Sequence, residues 1–374
     1  MTAVRPRNHR PSRWYAALAA CLLALAAHAS DPAPAPQDDG PYVFDAGKQL
    51  DAVWICGGQV QRTSVARTAT LPPRCGYPHA IDVPASLPPA VSKAAATPRI
   101  VAVSDIHGQY DLLLRLLRAN KVIDADDNWA LGRDQLVIAG DVFDRGAAVN
   151  ETLWLLLRLQ QQAQQAGGAV HFLLGNHETM ALGGDLRYVN PKYLQSARLL
   201  KRSYPGLYAR DTLLGQWLRT RPVLLQVGDT LFLHGGVSPA ELELALHIEQ
   251  TNAAYRASLG RSKAEVRADP AIAPLYDGKQ SPIWYRGYFD GQLGPDEVRA
   301  LTQRLGLARI VVGHTTMNHI SSLHGGRVIA IDSGIKRGES GELLFIENET
   351  LSRGLLDGSR VPLREFPGAP PRED

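Results

Sequence analysis

Short apolar runs recur along the chain from about residue 100, and a polar cluster follows several of them. Residues 100–103, 136–139 and 169–174 are largely apolar runs of strand length. Between them, apolar residues recur at helical spacing over residues 110–119 and 151–165. Strands that alternate with helices through short connections predict parallel strand pairing in an α/β fold.

The second half of the chain predicts strands in a different arrangement. Gly228-Asp229 lies between two apolar runs and indicates a hairpin. Late strands are predicted at 309–312, 327–331 and 342–346, the last two at hairpin-like spacing. Mixed strands with helices between them favour an α/β fold built as a two-sheet β-sandwich flanked by helices, rather than a single doubly wound sheet.

The same pattern predicts the domain organisation. Residues 30–98 are rich in proline and turn residues, which predicts a linker leading into an irregular N-terminal arm. The main domain is predicted over residues 99–356, with a polar helical insertion near 185–220. Residues 357–374 are predicted to be a C-terminal tail.

Residues 1–29 predict a secretory signal peptide. Four arginines between residues 5 and 13 precede an apolar run that ends in Ala27-His28-Ala29, with small residues at the positions a signal peptidase reads. The run of about 14 residues is shorter than the roughly 20 that a membrane-spanning helix needs, so a stable membrane span is not expected. Lipidation at Cys21 stays open as an alternative. We therefore expect a periplasmic or secreted protein.

The charge balance changes once this segment is set aside. The whole chain has 40 basic and 37 acidic residues and a formal net charge of +3. Without the four arginines, 36 basic residues stand against 37 acidic ones, for a net charge of −1. A nearly neutral body argues against nucleic acid or an anionic membrane surface as the main partner.

Signal cleavage would remove Cys21 and leave Cys56 and Cys75. Two cysteines in an exported chain predict one disulfide bond. Two free thiols are the alternative.

Five polar clusters follow predicted strands, where strand ends meet and loops form ligand sites. They offer three imidazoles, two carboxylates and one carboxamide. This set suits Mn, Fe or Zn rather than calcium. Six ligands suit two ions that share a bridging carboxylate, an arrangement that binds a phosphate ester. The candidate metal ligands are Asp105, His107, Asp141, Asn176, His234 and His314.

Three further residues near these ligands suggest phosphate chemistry. Arg145 lies four residues after Asp141 in the same loop, and its planar guanidinium suits two phosphate oxygens. Asp144 can orient His177, and a carboxylate-paired histidine beside the metals is a candidate general acid.

The motifs of these clusters resemble the signature of calcineurin-like metallophosphoesterases over residues 100–335. In chain order they are Asp-x-His-Gly, Gly-Asp-x-x-Asp-Arg-Gly, Gly-Asn-His-Glu, His-Gly-Gly and Gly-His-Thr. Asp-Arg-Gly and Asn-His-Glu resemble the phosphoprotein phosphatase branch. Asp-Val-Phe-Asp-Arg-Gly and the Pro-Ile-Trp-Tyr-Arg-Gly of residues 282–287 are most similar to Shewanella-like protein phosphatases. Two positions depart from common patterns: Ser104 replaces a frequent glycine, and Thr316 replaces the second histidine of broader members.

The resemblance implies a role for each residue. One ion would be held by Asp105, His107 and bridging Asp141, and the other by Asp141, Asn176, His234 and His314, with manganese favoured. Phosphate would be bound by Arg145, Arg286 and Asn176, and the general acid would be His177, supported by Asp144. A hydroxide that bridges the metals would attack phosphorus directly, without a phosphoenzyme.

We therefore expect an exported metal-dependent phosphatase that acts on phosphorylated protein or a small phosphoester. The resembled group is associated with phosphotyrosine preference, and we adopt that expectation. The alternatives are a Ser/Thr protein phosphatase, a dinucleoside tetraphosphate hydrolase, and a non-catalytic module that binds phosphorylated ligands.

Overall fold

The computed structural model describes residues 1–3, 37–87, 91–348 and 350–366. The predicted signal peptide lies outside these ranges after its first three residues, as does the end of the predicted tail from residue 367. Across the described ranges, every helix is too short or too polar to cross a bilayer.

The described residues form the following elements. The strands are β1 (Asp39–Asp45), β2 (Leu50–Cys56), β3 (Gln59–Val65), β4 (Thr70–Leu71), β5 (Ile81–Asp82), β6 (Lys93–Ala94), β7 (Arg99–Val103), β8 (Gln135–Ile138), β9 (Ala169–Phe172), β10 (Leu224–Val227), β11 (Thr230–Leu233), β12 (Arg309–Val312), β13 (Ser321–Leu323), β14 (Val328–Ala330), β15 (Leu343–Glu347), β16 (Thr350–Gly354), β17 (Arg360–Pro362) and β18 (Arg364–Glu365). The α-helices are α1 (Tyr110–Ala119), α2 (Val149–Ala166), α3 (Asn176–Leu182), α4 (Pro191–Leu199), α5 (Leu213–Leu218), α6 (Leu242–Leu246), α7 (Ile248–Ser258), α8 (Lys263–Arg267) and α9 (Pro295–Leu305). Short 3₁₀ helices cover Pro205–Tyr208, Ala273–Tyr276 and Ile335–Arg337.

Two large mixed sheets form the body of the protein. The six-stranded sheet has the order β17-β16-β15-β7-β8-β9, and the seven-stranded sheet has the order β18-β13-β14-β12-β11-β10-β6. Strands β7, β8 and β9 pair in parallel, as predicted. Strands β10 and β11 form the predicted antiparallel hairpin.

Side-chain alternation in β7 shows how the sheets pack. Ile100 and Ala102 join an apolar cluster that contains Phe232 and Val311 of the other sheet. Val101 and Val103 belong to the separate cluster that contains the leucines of α1 and α2. Because successive residues of a strand face opposite sides, β7 is buried between the second sheet and the helices. The predicted two-sheet sandwich flanked by helices is confirmed.

Helices α1 and α2 connect the parallel strands and align their ends. Leu113, Leu116 and Leu117 give α1 a buried stripe at helical spacing. Helix α2 ends at Gly167, whose φ of 78° is the left-handed conformation that glycine adopts without strain. Because these helices return the chain to the start of the next strand, the loops after β7, β8 and β9 meet at one edge of the sheet.

The N-terminal region differs from the irregular arm that the sequence predicts. Strands β1, β2 and β3 form a three-stranded antiparallel sheet. Tyr42 and Trp54 are buried, and β1 and the middle of β2 are buried on both faces. A strand covered on both sides loses the apolar–polar alternation that identifies a strand, which explains the error. A disulfide bond joins Cys56, at the end of β2, to Cys75.

The late strands pair differently from the arrangement that the sequence predicts. The runs at 327–331 and 342–346 do not form a hairpin, because β14 pairs with β13 in one sheet and β15 pairs with β16 in the other. Part of the predicted tail forms β17 and β18, which lie at sheet edges. Short edge strands contain few apolar residues, so their sequence pattern is weak.

Candidate active site

The polar clusters that follow β7, β8, β9, β11 and β12 converge on one pocket. His234 is fully buried against it, with its Nε2 3.0 Å from Asp141 Oδ2. The residues predicted to bind metal, bind substrate or act in catalysis therefore lie together. The two cysteines predicted to form a disulfide bond, Cys56 and Cys75, lie elsewhere in the fold. The pocket is lined by Asp105, His107, Asp141, Arg145, Asn176, His177, Tyr188, Trp284, Arg286, His314 and Lys336.

Asp141 is shared by two groups of candidate metal ligands. One group is His107, Asp141 and His177, and the other is Asp141, His234 and His314. Within each group the ligand atoms lie within 4.8 Å of one another. A carboxylate common to two groups is the arrangement expected of a bridging ligand.

Asp105 and Asn176, also predicted as ligands, lie at the same pocket. The Asp105 carboxylate accepts hydrogen bonds from the Ser104 hydroxyl at 2.6 Å and the His314 backbone N–H at 2.9 Å. Asn176 Oδ1 is 2.9 Å from His234 Nε2. Ser104 thus positions Asp105, a role that the sequence analysis missed because it considered only the absence of glycine there.

The nitrogen atoms of the site fit a divalent metal. His314 Nε2 is buried and has no hydrogen-bond partner among the described residues, an arrangement that costs free energy unless something binds there. His107 and His234 donate Nδ1–H to the carbonyls of Phe143 and Ala139, at 2.6 and 2.8 Å. These bonds leave Nε2 of both rings for a metal. Burial lowers the pKa of His107 and His314, which favours the neutral rings that metals require.

The loops that carry the site have an unusual backbone. A positive φ in a residue other than glycine is uncommon and persists where the surrounding structure imposes it, typically at functional sites. Gly140 has a φ of 89°, and a Cβ there would lie 2.7 Å from the Gly175 nitrogen. Values of φ between 46° and 72° occur at Asp105, His107, Asp141, Asp144, Arg145 and His314. The fold therefore holds these loops in conformations that aim their side chains into the pocket.

Glu178 holds two of these loops together. Its carboxylate accepts hydrogen bonds from the backbone N–H groups of Gly175, Asp141, Val142 and Phe143, at 2.6 to 3.1 Å. The side chain is fully buried. The sequence analysis assigned no role to Glu178, although a glutamate at the third position of a helix is a capping-box signal.

His177 is paired with Asp144 as predicted from the sequence. His177 Nδ1 lies 2.6 Å from Asp144 Oδ2, and its Nε2 lies 3.9 Å from Asp141 Oδ2. Burial alone would lower the pKa of His177, but the carboxylates of Asp141 and Asp144 outweigh it and raise that pKa. The ring is thus both oriented and favoured in its protonated form.

Three cationic side chains surround the space for a phosphate. Arg145 and Arg286 line the pocket, and the Arg145 guanidinium lies 5.3 Å from the ring centroid of Tyr188. Lys336 lines it too and donates a hydrogen bond to Thr316 Oγ1 at 2.5 Å. The sequence analysis missed Lys336 because it lies outside every motif. Fixed positive charges of this kind favour a phosphate dianion.

The loop of Arg145 is braced by the insertion and by the N-terminal sheet. Lys192 of α4 donates hydrogen bonds to the Ala147 carbonyl at 2.9 Å and to Glu151 at 2.7 Å. Its ammonium also lies 3.6 Å from the buried Asp39 carboxylate of β1. A buried ion pair adds little net stability, but removing one partner destabilises the protein because the other charge is left unpaired. Such a pair therefore fixes the relative position of the segments it joins. Lys192 therefore links β1 and α4 to the loop between β8 and α2 that carries Arg145, which we call the phosphate loop.

Comparison with known proteins agrees with this geometry. The crystal structure of a cold-active protein-tyrosine phosphatase from a psychrophilic Shewanella species is 42% identical, with a TM-score of 0.84, over 88% of this chain and 100% of that one. Shewanella-like protein phosphatase 2 of Arabidopsis thaliana is 27% identical over 64% of this chain and 72% of its own length. Shewanella-like protein phosphatase 1 of Plasmodium berghei is 28% identical over 63% and 67%. The family model of calcineurin-like phosphoesterases matches residues 98–317. The chain therefore belongs to the calcineurin-like phosphoesterase family and is a hydrolase that acts on phosphoric esters.

Proposed function

We propose that the protein is an exported metal-dependent protein phosphatase that prefers phosphotyrosine. The observation that carries the preference is a pair of aromatic rings in the pocket lining. Tyr188 packs on His177 with ring centroids 5.2 Å apart, and Trp284 packs edge-on to His314 at 5.4 Å. One aromatic ring thus lies beside each ligand group, where the phenyl ring of a substrate can pack against it. The similarity to a protein-tyrosine phosphatase supports the same choice.

The side chains suggest how the ester is cleaved. Arg145 and Arg286 bind the phosphate oxygens and set the ester in line for displacement. Two divalent ions, for which we favour manganese over iron and zinc, supply Lewis-acid polarisation of the phosphate and activation of the attacking water when bound. No serine, threonine or cysteine is among the residues that line the described pocket, which disfavours a phosphorylated hydroxyl or thiol as an intermediate. We propose direct attack by water.

The leaving group needs a proton, and His177 is placed to donate it. Asp144 accepts the Nδ1–H bond of the ring, so the Nε2–H is left for the tyrosine oxygen. The same carboxylate stabilises the protonated ring before transfer.

A substrate panel tests the proposed specificity. We expect the metal-loaded protein to hydrolyse a phosphotyrosine peptide with a kcat/KM at least about tenfold above that of the same peptide carrying phosphoserine or phosphothreonine, and above that of diadenosine tetraphosphate. Replacing Tyr188 with leucine should reduce this preference up to about tenfold, since an aromatic contact is worth ~0.5–1.5 kcal/mol. Faster hydrolysis of phosphoserine peptides or of the dinucleotide would overturn the phosphotyrosine preference but not the assignment as a phosphoesterase.

Export is supported by the signal pattern of residues 1–29 and by the disulfide bond between Cys56 and Cys75, since such bonds persist mainly in oxidising compartments. Expressed with its native N-terminus in a Gram-negative host, the protein should appear in the periplasm or medium, starting near Ser30. N-terminal sequencing of the fractionated protein checks this, and an intact Met1 terminus in the cytosol would contradict it.

A further inference from the structure

A cleft of about 450 Å³ opens beside the catalytic pocket and has no role in the chemistry proposed above. Its volume lies within the range of sites that bind ligands, roughly 300–1,000 Å³. Met180 and Val266 are buried apolar side chains in its lining, and the half-buried rings of Tyr276 and Trp284 complete an apolar surface. Such a surface suits an apolar side chain of a bound chain.

The cleft adjoins the catalytic pocket. Trp284 lines both. Helix α3 carries Asn176 and His177 into the pocket, while Thr179 and Met180 of the same helix line the cleft. The cleft therefore lies within reach of a chain bound through a phosphorylated residue in the pocket.

A second connection runs through Arg187. This residue lines the cleft, and its guanidinium lies 5.4 Å from the ring of Tyr188. On the pocket side, the same ring faces Arg145 at 5.3 Å. Cationic groups thus continue from the phosphate position into the cleft.

The lining of the cleft is more basic than acidic. It contains four basic residues and two acidic ones, Asp185 and Asp277. Asp185 is paired with Arg187 at 2.7 Å, and Asp277 accepts backbone hydrogen bonds within its own turn. The basic members are Arg187, Arg261, Lys263 and Arg267.

Lys263 and Arg267 are the two cations available to a ligand. Within the part of the chain that the structure describes, neither forms an ion pair with an acidic residue, whereas Arg261 is paired with Asp269 at 2.8 Å. Both side chains are exposed, and they are four residues apart on α8, which places them on one face of the helix. They line the cleft together with its apolar surface.

We propose that this cleft, defined by Met180, Lys263, Val266, Arg267, Tyr276 and Trp284, is the subsite for the polypeptide that flanks the phosphorylated residue. It selects a flank that carries acidic residues with an apolar side chain beside them. Lys263 and Arg267 attract the carboxylates, and the apolar surface takes the neighbouring side chain. This inference rests on the proposed function, because it requires a polypeptide substrate.

Three phosphotyrosine peptides of one length test the inference, with flanks that differ only in Glu, Gln or Lys at the same positions. Their kcat/KM values are compared with that of 4-nitrophenyl phosphate, which has no flank. We expect the glutamate peptide to exceed the glutamine peptide, and the glutamine peptide to exceed the lysine peptide. Each charge contributes up to about fivefold, and the effect shrinks as salt is added.

The variant Lys263→Glu/Arg267→Glu should reverse this order, measured as the ratio of each peptide to 4-nitrophenyl phosphate. Lys48→Ala removes a lysine from the exposed β1–β2 turn and should keep the wild-type order. A second pair of peptides with leucine or serine beside the acidic residues reports on the apolar surface, where leucine should be preferred.

The outcomes distinguish failure of the proposed subsite from failure of the proposed protein phosphatase activity. Turnover of all three peptides at equal rates, or a wild-type order retained in the double variant, overturns the subsite and leaves the protein phosphatase. Turnover of 4-nitrophenyl phosphate with none of any phosphopeptide overturns the proposed function and the subsite with it.

Discussion

Asp141→Asn is expected to lower kcat/KM toward a phosphotyrosine peptide by on the order of 10³-fold or more and to reduce the metal content of the purified protein. Asp141 is the residue that both ligand groups share, and it is buried. Lewis-acid stabilisation by bound metal is worth several kcal/mol, and ~4 kcal/mol corresponds to about 10³-fold in rate. Steady-state kinetics and elemental analysis of the same preparation measure both effects.

The asparagine variant should still fold, which makes its activity informative. The amide has the shape of the carboxylate, and its oxygen can still accept the hydrogen bond that Asp141 Oδ1 takes from the His177 backbone N–H at 3.0 Å. Asp111→Asn, at an exposed position in the first turn of α1, is the matched control and should keep wild-type activity and metal content. Wild-type turnover by the Asp141 variant would show that this carboxylate is not required for metal-dependent hydrolysis.

The positions of the candidate metal ligands could be predicted from sequence because they follow from the regular strands of the fold. A buried strand is identified by its apolar run, and the residue directly after it must lie at the end of the sheet. Asp105, Asp141 and His314 each lie two positions after the end of such a run. The parallel pairing of β7 with β8 therefore brings Asp105 and Asp141 together. His314 follows β12 of the other sheet and reaches them through the packing of the two sheets.

The residues that support the ligands were harder to find, because their roles depend on contacts between distant segments. Glu178 binds backbone groups of the loop after β8, and Lys192 links the phosphate loop to Asp39, which is 153 residues earlier in the sequence. Nothing in the local pattern of α4 shows which carbonyl its lysine will reach. The positive φ values of the loop residues could not be predicted either, since the sequence does not distinguish a strained aspartate from any other aspartate.

The N-terminal sheet shows a second limit of periodicity. Strand β1 and the middle of β2 are buried from both sides, partly by the insertion that contains α5, so their pattern is not that of a half-exposed strand. Recognising them would have required knowing that the insertion packs there. Because β1 also carries Asp39, the misjudged segment turns out to contribute to the position of the phosphate loop.

His177→Asn is expected to lower kcat toward a phosphotyrosine peptide by about 10²–10⁴-fold, the usual contribution of general acid catalysis. The loss should be much smaller for 4-nitrophenyl phosphate, because a less basic leaving group needs less help from an acid. A comparison of the two substrates across wild type and variant measures the difference directly.

The dependence on the leaving group separates proton donation from damage to the metal site. A variant that had lost metal would lose activity toward both substrates equally, as we expect for Asp141→Asn. Asp144→Asn provides the intermediate case, because it keeps the imidazole but removes the carboxylate that holds Nδ1–H at 2.6 Å. It should show the same selective loss at smaller amplitude. Equal losses on both substrates for His177→Asn would mean that the ring contributes as a metal ligand in the group it shares with His107 and Asp141, and that another group protonates the leaving oxygen.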